Sequence, residues 1–136
     1  MESERKTIVL VEDQEILARL IGHKLEQHGY AVKVAFDGAE GLRLIRSVKP
    51  DLVLLDMGLP RIDGFGVLEA LRAEHLLPNL PIIIISNTGE DIEIERARTL
   101  GVRDYLIKIN FDPDELVAKV THLFDALPPS PHALPR

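Results

Sequence analysis

Short apolar runs and longer stretches with helical periodicity alternate along the chain. Each apolar run is three to six residues long, and most are rich in Val, Ile and Leu. This composition is typical of strands that are buried on both faces of a parallel sheet. The pattern predicts five strands: Ile8–Val11, Ala31–Phe36, Leu52–Leu55, Ile82–Ile85 and Tyr105–Ile107.

A stretch with apolar residues at helical spacing follows each predicted strand. In the first of these stretches the spacing continues to Gly29, a residue that favours a left-handed helix cap, through Ile16, Leu17, Leu20, Ile21 and Leu25. A capping box of Asp37 and Glu40 predicts the start of the second helix, and Asp112 followed by Pro113 predicts the start of the last. The five helices are predicted to begin near Ile16, Asp37, Phe65, Glu90 and Asp112.

Strict alternation of strands and helices predicts an α/β fold with a parallel sheet, helices on both faces and right-handed crossovers. Five units are too few for an eight-fold barrel, so we expect a five-stranded doubly wound sheet. Beyond Leu127 the composition changes, and four of the nine prolines lie in residues 128–136. We therefore predict one domain over residues 1–127 and a proline-rich tail or linker over residues 128–136.

Composition and charge narrow the function classes. The chain has 136 residues, the size of one domain, and 22 acidic against 16 basic residues give a net charge of -6. With no tight cluster of basic residues, no Trp and two Tyr, we expect no direct binding of nucleic acid. The absence of Cys excludes disulfides and thiolate metal sites. We expect no membrane contact, and a cytoplasmic location, because no apolar run approaches the ~20 residues of a membrane span and the N-terminus lacks a signal-peptide core.

Chemistry-bearing side chains follow four of the five predicted strands. Glu12 and Asp13 come after the first strand, Asp56 after the third, Ser86 after the fourth and Lys108 after the fifth. Ligands of open parallel sheets bind outside the carboxyl ends of the strands, where all these residues would meet. Any one of the acids is typical of a solvated loop or a helix cap, but the set taken together indicates a functional site.

The charges of these side chains indicate that a metal site is one way to stabilise them. Three carboxylates crowded against one lysine repel one another, so either a pKa rises or a divalent cation binds among them. Oxygen ligands in an open, hydrated site favour Mg²⁺. A bound Mg²⁺ together with Ser86 and Lys108 would suit the oxygens of a phosphoryl group. Asp56 is the candidate nucleophile, because carboxylates can form acyl phosphates.

In their order, these residues closely resemble the receiver domain of two-component response regulators. Residues 56–64 also match the loop that follows the family's phospho-acceptor, with a proline and an Asp-Gly pair at the usual offsets, and Tyr105 stands at the position of the family's switch aromatic. The resemblance covers about residues 6 to 126. It implies a flavodoxin-like, CheY-like sheet with the strand order 2-1-3-4-5 and five helices.

The resemblance implies a phosphorylation-dependent signalling switch in a phosphorelay. Asp56 would accept a phosphoryl group from a phosphohistidine on a histidine kinase or a histidine phosphotransfer protein. Asp13 and Asp56 would bind Mg²⁺ directly, together with the carbonyl of Gly58, and Glu12 would bind it through water.

The same resemblance implies how the signal leaves the domain. Ser86 and Lys108 would hold the phosphoryl oxygens. Movement of Ser86 and inward rotation of Tyr105 would then change the surface formed by the fourth helix, the fifth strand and the fifth helix. A downstream protein or an effector domain would recognise this surface.

Two departures from the family pattern leave an alternative open. Asn87 stands where the family has a small residue, and Ile109 stands where the family has proline. The alternative is a pseudo-receiver, a docking module that signals by protein contact without phosphorylation.

A turnover phosphatase of the Asp-x-Asp type is a further alternative, but Gly58 replaces its second aspartate, so we expect no enzyme acting on an outside substrate. We also expect a long-lived phosphoryl group, from Gly58 and Thr88, and a trans bond between Lys108 and Ile109.

Overall fold

Five strands and five helices alternate in a computed structural model of the protein, which describes residues 5–59, 62–76, 79–86, 91–108 and 112–126. The strands are β1 Thr7–Val11, β2 Ala31–Ala35, β3 Leu52–Asp56, β4 Ile82–Ser86 and β5 Asp104–Ile107. The helices are α1 Glu15–Gln27, α2 Gly38–Val48, α3 Gly64–Ala73, α4 Asp91–Thr99 and α5 Pro113–Ala126. Among the described residues, no helix combines the length and the apolar character needed to span a membrane.

All five strands are parallel and lie in the order β2-β1-β3-β4-β5, which confirms the predicted fold class. From β1 the chain crosses to one side to form β2, and then returns past β1 to form β3. The carboxyl ends of β1 and β3 therefore lie side by side where the chain reverses direction, with Val11 opposite Leu55. In folds of this kind, ligands bind at that reversal point.

The hydrophobic core consists of two layers, one on each face of the sheet. Alternate residues of a strand point to opposite faces, so Val9 and Val53 pack with α2, α3 and α4, whereas Leu10 and Leu54 pack with α1 and α5. Strands β3 and β4 are buried along their whole length. Burial on both faces explains why the predicted strands are continuous apolar runs rather than alternating ones.

Helix α1 buries only part of its apolar sequence. Ile21 and Leu25 are fully buried, but Ile16 is 85% exposed and Leu20 is 47% exposed. At about 100° per residue, Ile16 lies half a turn around the helix from Leu25, so both cannot face the sheet. The helical spacing predicted the helix correctly, and the exposed pair forms an apolar surface beside the first turn.

Local capping residues mark the starts of α2 and α5 where the sequence predicts them. The side chain of Asp37 accepts a hydrogen bond from the N–H of Glu40 at 2.8 Å, as a capping box requires. The Glu40 carboxylate accepts from the N–H of Phe36 at 2.9 Å, one residue earlier than predicted. Helix α5 begins at Pro113, directly after Asp112, which confirms the predicted start.

Several predicted features lie outside the described residues. These are the tail at 128–136, the start of the fourth helix at Glu90, and the positions Asn87, Thr88 and Ile109 with the Lys108–Ile109 bond. Two strand ends are longer than predicted, because β3 extends to Asp56 and β4 to Ser86. Both candidate residues are therefore the last residues of strands rather than the first residues of loops.

Candidate functional site

Three carboxylates meet at the reversal point of the sheet. Glu12 directly follows β1, and its N–H donates to the carbonyl of Ala35 at 2.9 Å, which holds it beside β2. Asp56 ends β3. Each of Glu12, Asp13 and Asp56 has a carboxylate oxygen within 4.8 Å of the others. Glu12 and Asp56 are buried, whereas Asp13 is exposed and lies on the solvent side of the cluster.

Lys108 reaches this cluster from the other side of β4. Its Nζ lies 3.0 Å from Oδ2 of Asp56 and 3.0 Å from Oε1 of Glu12. The lysine side chain is 10% exposed, so water screens these ion pairs poorly. The structure thus brings together four of the predicted site residues from the ends of three strands.

Gln14 is a member of the site that the sequence analysis missed. Its N–H donates to Oε2 of Glu12 at 2.9 Å, and its side-chain Oε1 accepts from Nζ of Lys108 at 3.4 Å. Gln14 occupies the N-cap position of α1 but makes no side-chain capping hydrogen bond. Glutamine is not among the preferred N-cap residues. Its occurrence at a helix start, next to an acidic pair, is a signal that could have suggested a role for Gln14 in the site, although it does not identify Lys108 as the partner.

The two carboxylate oxygens of Asp56 have different hydrogen-bond partners. Oδ2 pairs with Lys108, and Oδ1 accepts from the N–H of Gly58 at 3.0 Å. Gly64, at the start of α3, packs against the same loop, since a Cβ there would collide with the sulfur of Met57 and would lie 2.9 Å from the carbonyl oxygen of Asp56. The Asp-Gly pair of the motif therefore has two structural parts: Asp63 caps α3 by accepting from the N–H at position 66, and Gly64 leaves room for the acceptor loop.

Ser86 and Tyr105 lie along one side of the site. Ser86 ends β4 next to Ile85, which pairs with Asp56 in the register of β3 and β4, and it is 8% exposed. Tyr105 is in β5 and is 39% exposed. Both residues line a cavity of about 90 Å³ between the sheet and α4, together with Met57.

Burial makes the charge of Glu12 costly. The pKa of this carboxyl is raised from 4.5 to about 7, chiefly because burial removes its hydration and also because the charge of Asp56 is near; the N–H of Gln14 and the ammonium of Lys108 offset part of the rise. Burial alone would lower the pKa of Lys108, but its hydrogen bonds to Asp56 and Glu12 outweigh burial and raise it. Lys108 therefore stays charged at neutral pH, and Glu12 is close to its titration midpoint.

The donor set of the acidic cluster fits a hard divalent cation. Oε1 of Glu12 is buried and accepts no hydrogen bond, although Lys108 is near enough for an ion pair. A buried oxygen without a hydrogen bond is uncommon and calls for another partner. All the available ligands are oxygens, and exposed Asp13 leaves the cluster open to water, which is the combination that suits Mg²⁺.

Comparison with known sequences identifies the class of protein. The sequence profile of the response regulator receiver domain matches residues 8–121. The chain therefore belongs to the response regulator receiver domain family, the phosphorylation-dependent switch of two-component signalling. Docking without phosphorylation is not favoured by these matches.

Individual relatives agree with this assignment. The chain is 37% identical over 115 residues to the alkaline phosphatase synthesis transcriptional regulatory protein PhoP of Bacillus subtilis, a match that covers 85% of this chain and 47% of PhoP. It is 34% identical over 116 residues to the DNA-binding dual master transcriptional regulator RpaA of Synechocystis, covering 85% of this chain and 48% of RpaA. The chain thus spans about half the length of the curated relatives it matches.

Solved structures match over nearly their whole length. A Francisella response regulator receiver domain superposes with a TM-score of 0.82 at 32% identity, covering 89% of this chain and 98% of that one. A putative response regulator from Chloroflexus aurantiacus superposes with a TM-score of 0.81 at 31% identity, covering 90% and 99%. The match to structures of receiver size confirms the fold and the domain type.

Proposed function

We propose that Asp56 is the phospho-acceptor of this receiver domain and that a phosphohistidine on a histidine kinase or a histidine phosphotransfer protein is the donor. An oxygen of Asp56 attacks phosphorus, the P–N bond breaks with its electron pair passing to the imidazole, and an acyl phosphate forms. The observation that carries this proposal is the placement of Asp56, which is buried, with Lys108 on Oδ2 and the N–H of Gly58 on Oδ1. Two fixed donors align the carboxylate for attack.

The metal in this proposal is Mg²⁺. Glu12, Asp13 and Asp56 would hold it together with the carbonyl of Gly58, Glu12 through water. When bound, Mg²⁺ neutralises charge on the transferring phosphoryl group. The carboxylate cluster and the buried Oε1 of Glu12 support this assignment.

Lys108 and Ser86 hold the phosphoryl oxygens in the proposed mechanism. Lys108 already contacts Asp56, and Ser86 ends the neighbouring strand at the same edge of the sheet. Tyr105 shares a cavity with Ser86. A shift of Ser86 toward the phosphoryl group opens room for the Tyr105 ring, and burial of that ring changes the surface of α4, β5 and α5 for a downstream protein or effector domain.

The donor protein needs a surface beside the site. Ile16 and Leu20 are exposed on α1, and Ile16 is two residues from Gln14, which contacts Lys108. Exposed apolar side chains next to a reactive centre are suited to a protein partner. We assign this α1 surface to the phosphohistidine donor.

The domain acts on itself rather than on an outside substrate, and it assists only its own Mg²⁺-dependent phosphorylation and dephosphorylation. Gly58 offers no side-chain group to orient a hydrolytic water near Asp56, which favours a long-lived phosphoryl group. The receiver unit is residues 1–127, followed by a tail or linker at 128–136. A histidine kinase partner that phosphorylates it inside the cell implies a cytoplasmic location.

Intact-mass measurement after incubation with acetyl phosphate and Mg²⁺ tests the acceptor. The wild type gains one phosphoryl group, and Asp56→Asn gains none, because the amide is a poor nucleophile. The matched control is Asp125→Asn, at an exposed position near the end of α5, which gains the phosphoryl group like the wild type. Phosphorylation of Asp56→Asn contradicts the assignment, and no gain in the wild type supports the docking module instead.

A further inference from the structure

Gln14 contacts the ammonium of Lys108 through a neutral amide oxygen. We infer that Gln14 is a positioning residue that orients Lys108 for phosphoryl transfer. Its consequence for the transfer rate rests on the proposed function, but the contact with Lys108 can be tested by itself.

The Lys108 ammonium has three N–H donors and no acceptor. Its hydrogen-bond acceptors come from three different segments: Oε2 of Glu12 after β1, Oδ2 of Asp56 at the end of β3 and Oε1 of Gln14 at the N-terminus of α1, at 3.3, 3.0 and 3.4 Å from Nζ. One acceptor residue for each donor defines the direction of all three N–H bonds. Without Gln14, one N–H turns to water and the ammonium is free to rotate about its two remaining partners.

The contribution of Gln14 grows when the site is in use. Mg²⁺ competes with Lys108 for the carboxylates of Glu12 and Asp56, because anionic oxygens are the ligands that this cation prefers. A neutral amide oxygen is a weaker magnesium ligand, so Gln14 keeps its contact with Lys108 while the carboxylates change partners. The backbone N–H of Gln14 also donates to Oε2 of Glu12, so the residue that contacts Lys108 is hydrogen-bonded to the carboxylate cluster as well.

A purely structural role of the Gln14 side chain is not supported by its surroundings. It caps no helix N–H, although it occupies the N-cap position, and it is exposed. Its side-chain contact in the described part of the chain is Lys108. Substitution of Gln14 therefore leaves the packing of α1 unchanged, and its effect is confined to the site.

The test compares Gln14→Met, which removes the amide at similar length, with Gln27→Met, the same change at the exposed far end of α1. The first readout is the ¹⁵N–¹H signal of the Lys108 ammonium in metal-free protein, assigned with Lys108→Met. We expect a sharp signal in the wild type and in Gln27→Met, a shifted or broadened signal in Gln14→Met, and recovery in Gln14→Glu, which keeps an acceptor oxygen. An identical Lys108 signal in wild type and Gln14→Met overturns the inference.

The second readout is the rate of phosphorylation by acetyl phosphate at saturating Mg²⁺. Gln14→Met lowers the rate constant about threefold to tenfold, the range that corresponds to loss of one ordinary hydrogen bond, because this one is long and exposed. In the Lys108→Met background the same substitution has no further effect, because the group it positions is gone. An equal loss in both backgrounds overturns the inference. If the wild type takes up no phosphoryl group, the proposed function fails, and the ammonium signal still decides the role of Gln14.

Discussion

Replacing Glu12 by glutamine tests the electrostatics of the site without phosphate or metal. The Glu12 side chain is fully buried, and burial is the main reason why its pKa rises from 4.5 to about 7 in the folded protein. In the unfolded chain the carboxyl is hydrated and keeps its ordinary pKa. Glutamine keeps an oxygen that can accept from the N–H of Gln14 and from Lys108, but it carries no charge.

The sign and size of the effect follow from these two pKa values. Below about pH 4.5 the carboxyl is protonated in both states, so it has no effect on stability. Between 4.5 and about 7 the unfolded chain loses the proton first, so the free energy of unfolding falls as the pH rises. Above about pH 7 the free energy of unfolding falls no further. Each unit of difference between the two pKa values corresponds to about 1.4 kcal/mol, so the total loss of stability is roughly 3 kcal/mol.

Urea unfolding in EDTA between about pH 5 and pH 8 measures this loss. We expect Glu12→Gln to exceed the wild type in free energy of unfolding by under about 1 kcal/mol at about pH 5. At about pH 8 the difference grows to about 2 to 3 kcal/mol. The difference between the two proteins removes every contribution that wild type and variant share. Glu26→Gln, at an exposed position of the same helix, is the matched control and follows the wild type.

Parallel stability curves for wild type and Glu12→Gln across this pH range would refute the reasoning, because the buried carboxyl would then ionise as easily as in water. Addition of Mg²⁺ gives a second check. A cation stabilises the ionised cluster, so Mg²⁺ raises the stability of the wild type more than that of Glu12→Gln at the alkaline end.

Three further predictions concern neighbouring parts of the molecule. Asp13→Ala removes the rise in unfolding temperature that Mg²⁺ produces in the wild type, and a rise of wild-type size in this variant excludes Asp13 as a ligand. Gly64→Ala lowers the free energy of unfolding by about 1 to 3 kcal/mol, because its Cβ meets Met57 and the Asp56 carbonyl; an unchanged urea curve contradicts this packing. Ile16→Ser slows transfer from a phosphohistidine protein but not from acetyl phosphate, whereas equal slowing of both argues against the α1 docking surface.

The sequence by itself determined the architecture and pointed to most of the candidate site residues. Short runs of apolar residues such as Leu52–Leu55 favour strands that are buried on both faces of a sheet, and the helical stretches between them predict the covering layers. Caps at Asp37 and Asp112 are local, so their positions could be predicted from neighbouring residues. The candidate site followed from one rule, that the carboxyl ends of parallel strands share an edge, and the structure brings Glu12 and Asp56 together there.

Only the tertiary structure decided the properties that depend on segments distant in the chain. Helical spacing marks Ile16 and Leu25 alike as apolar, but the face of α1 that rests on the sheet makes one exposed and the other buried. Gln14 and Lys108 are separated by 94 positions, and no local pattern connects an amide at a helix start with a lysine after the last strand. The raised pKa of Glu12 likewise arises from burial among groups that folding assembles. Periodicity and capping act between near neighbours and can be read from the sequence, whereas burial, charge proximity and hydrogen-bond geometry are created when the strands come together.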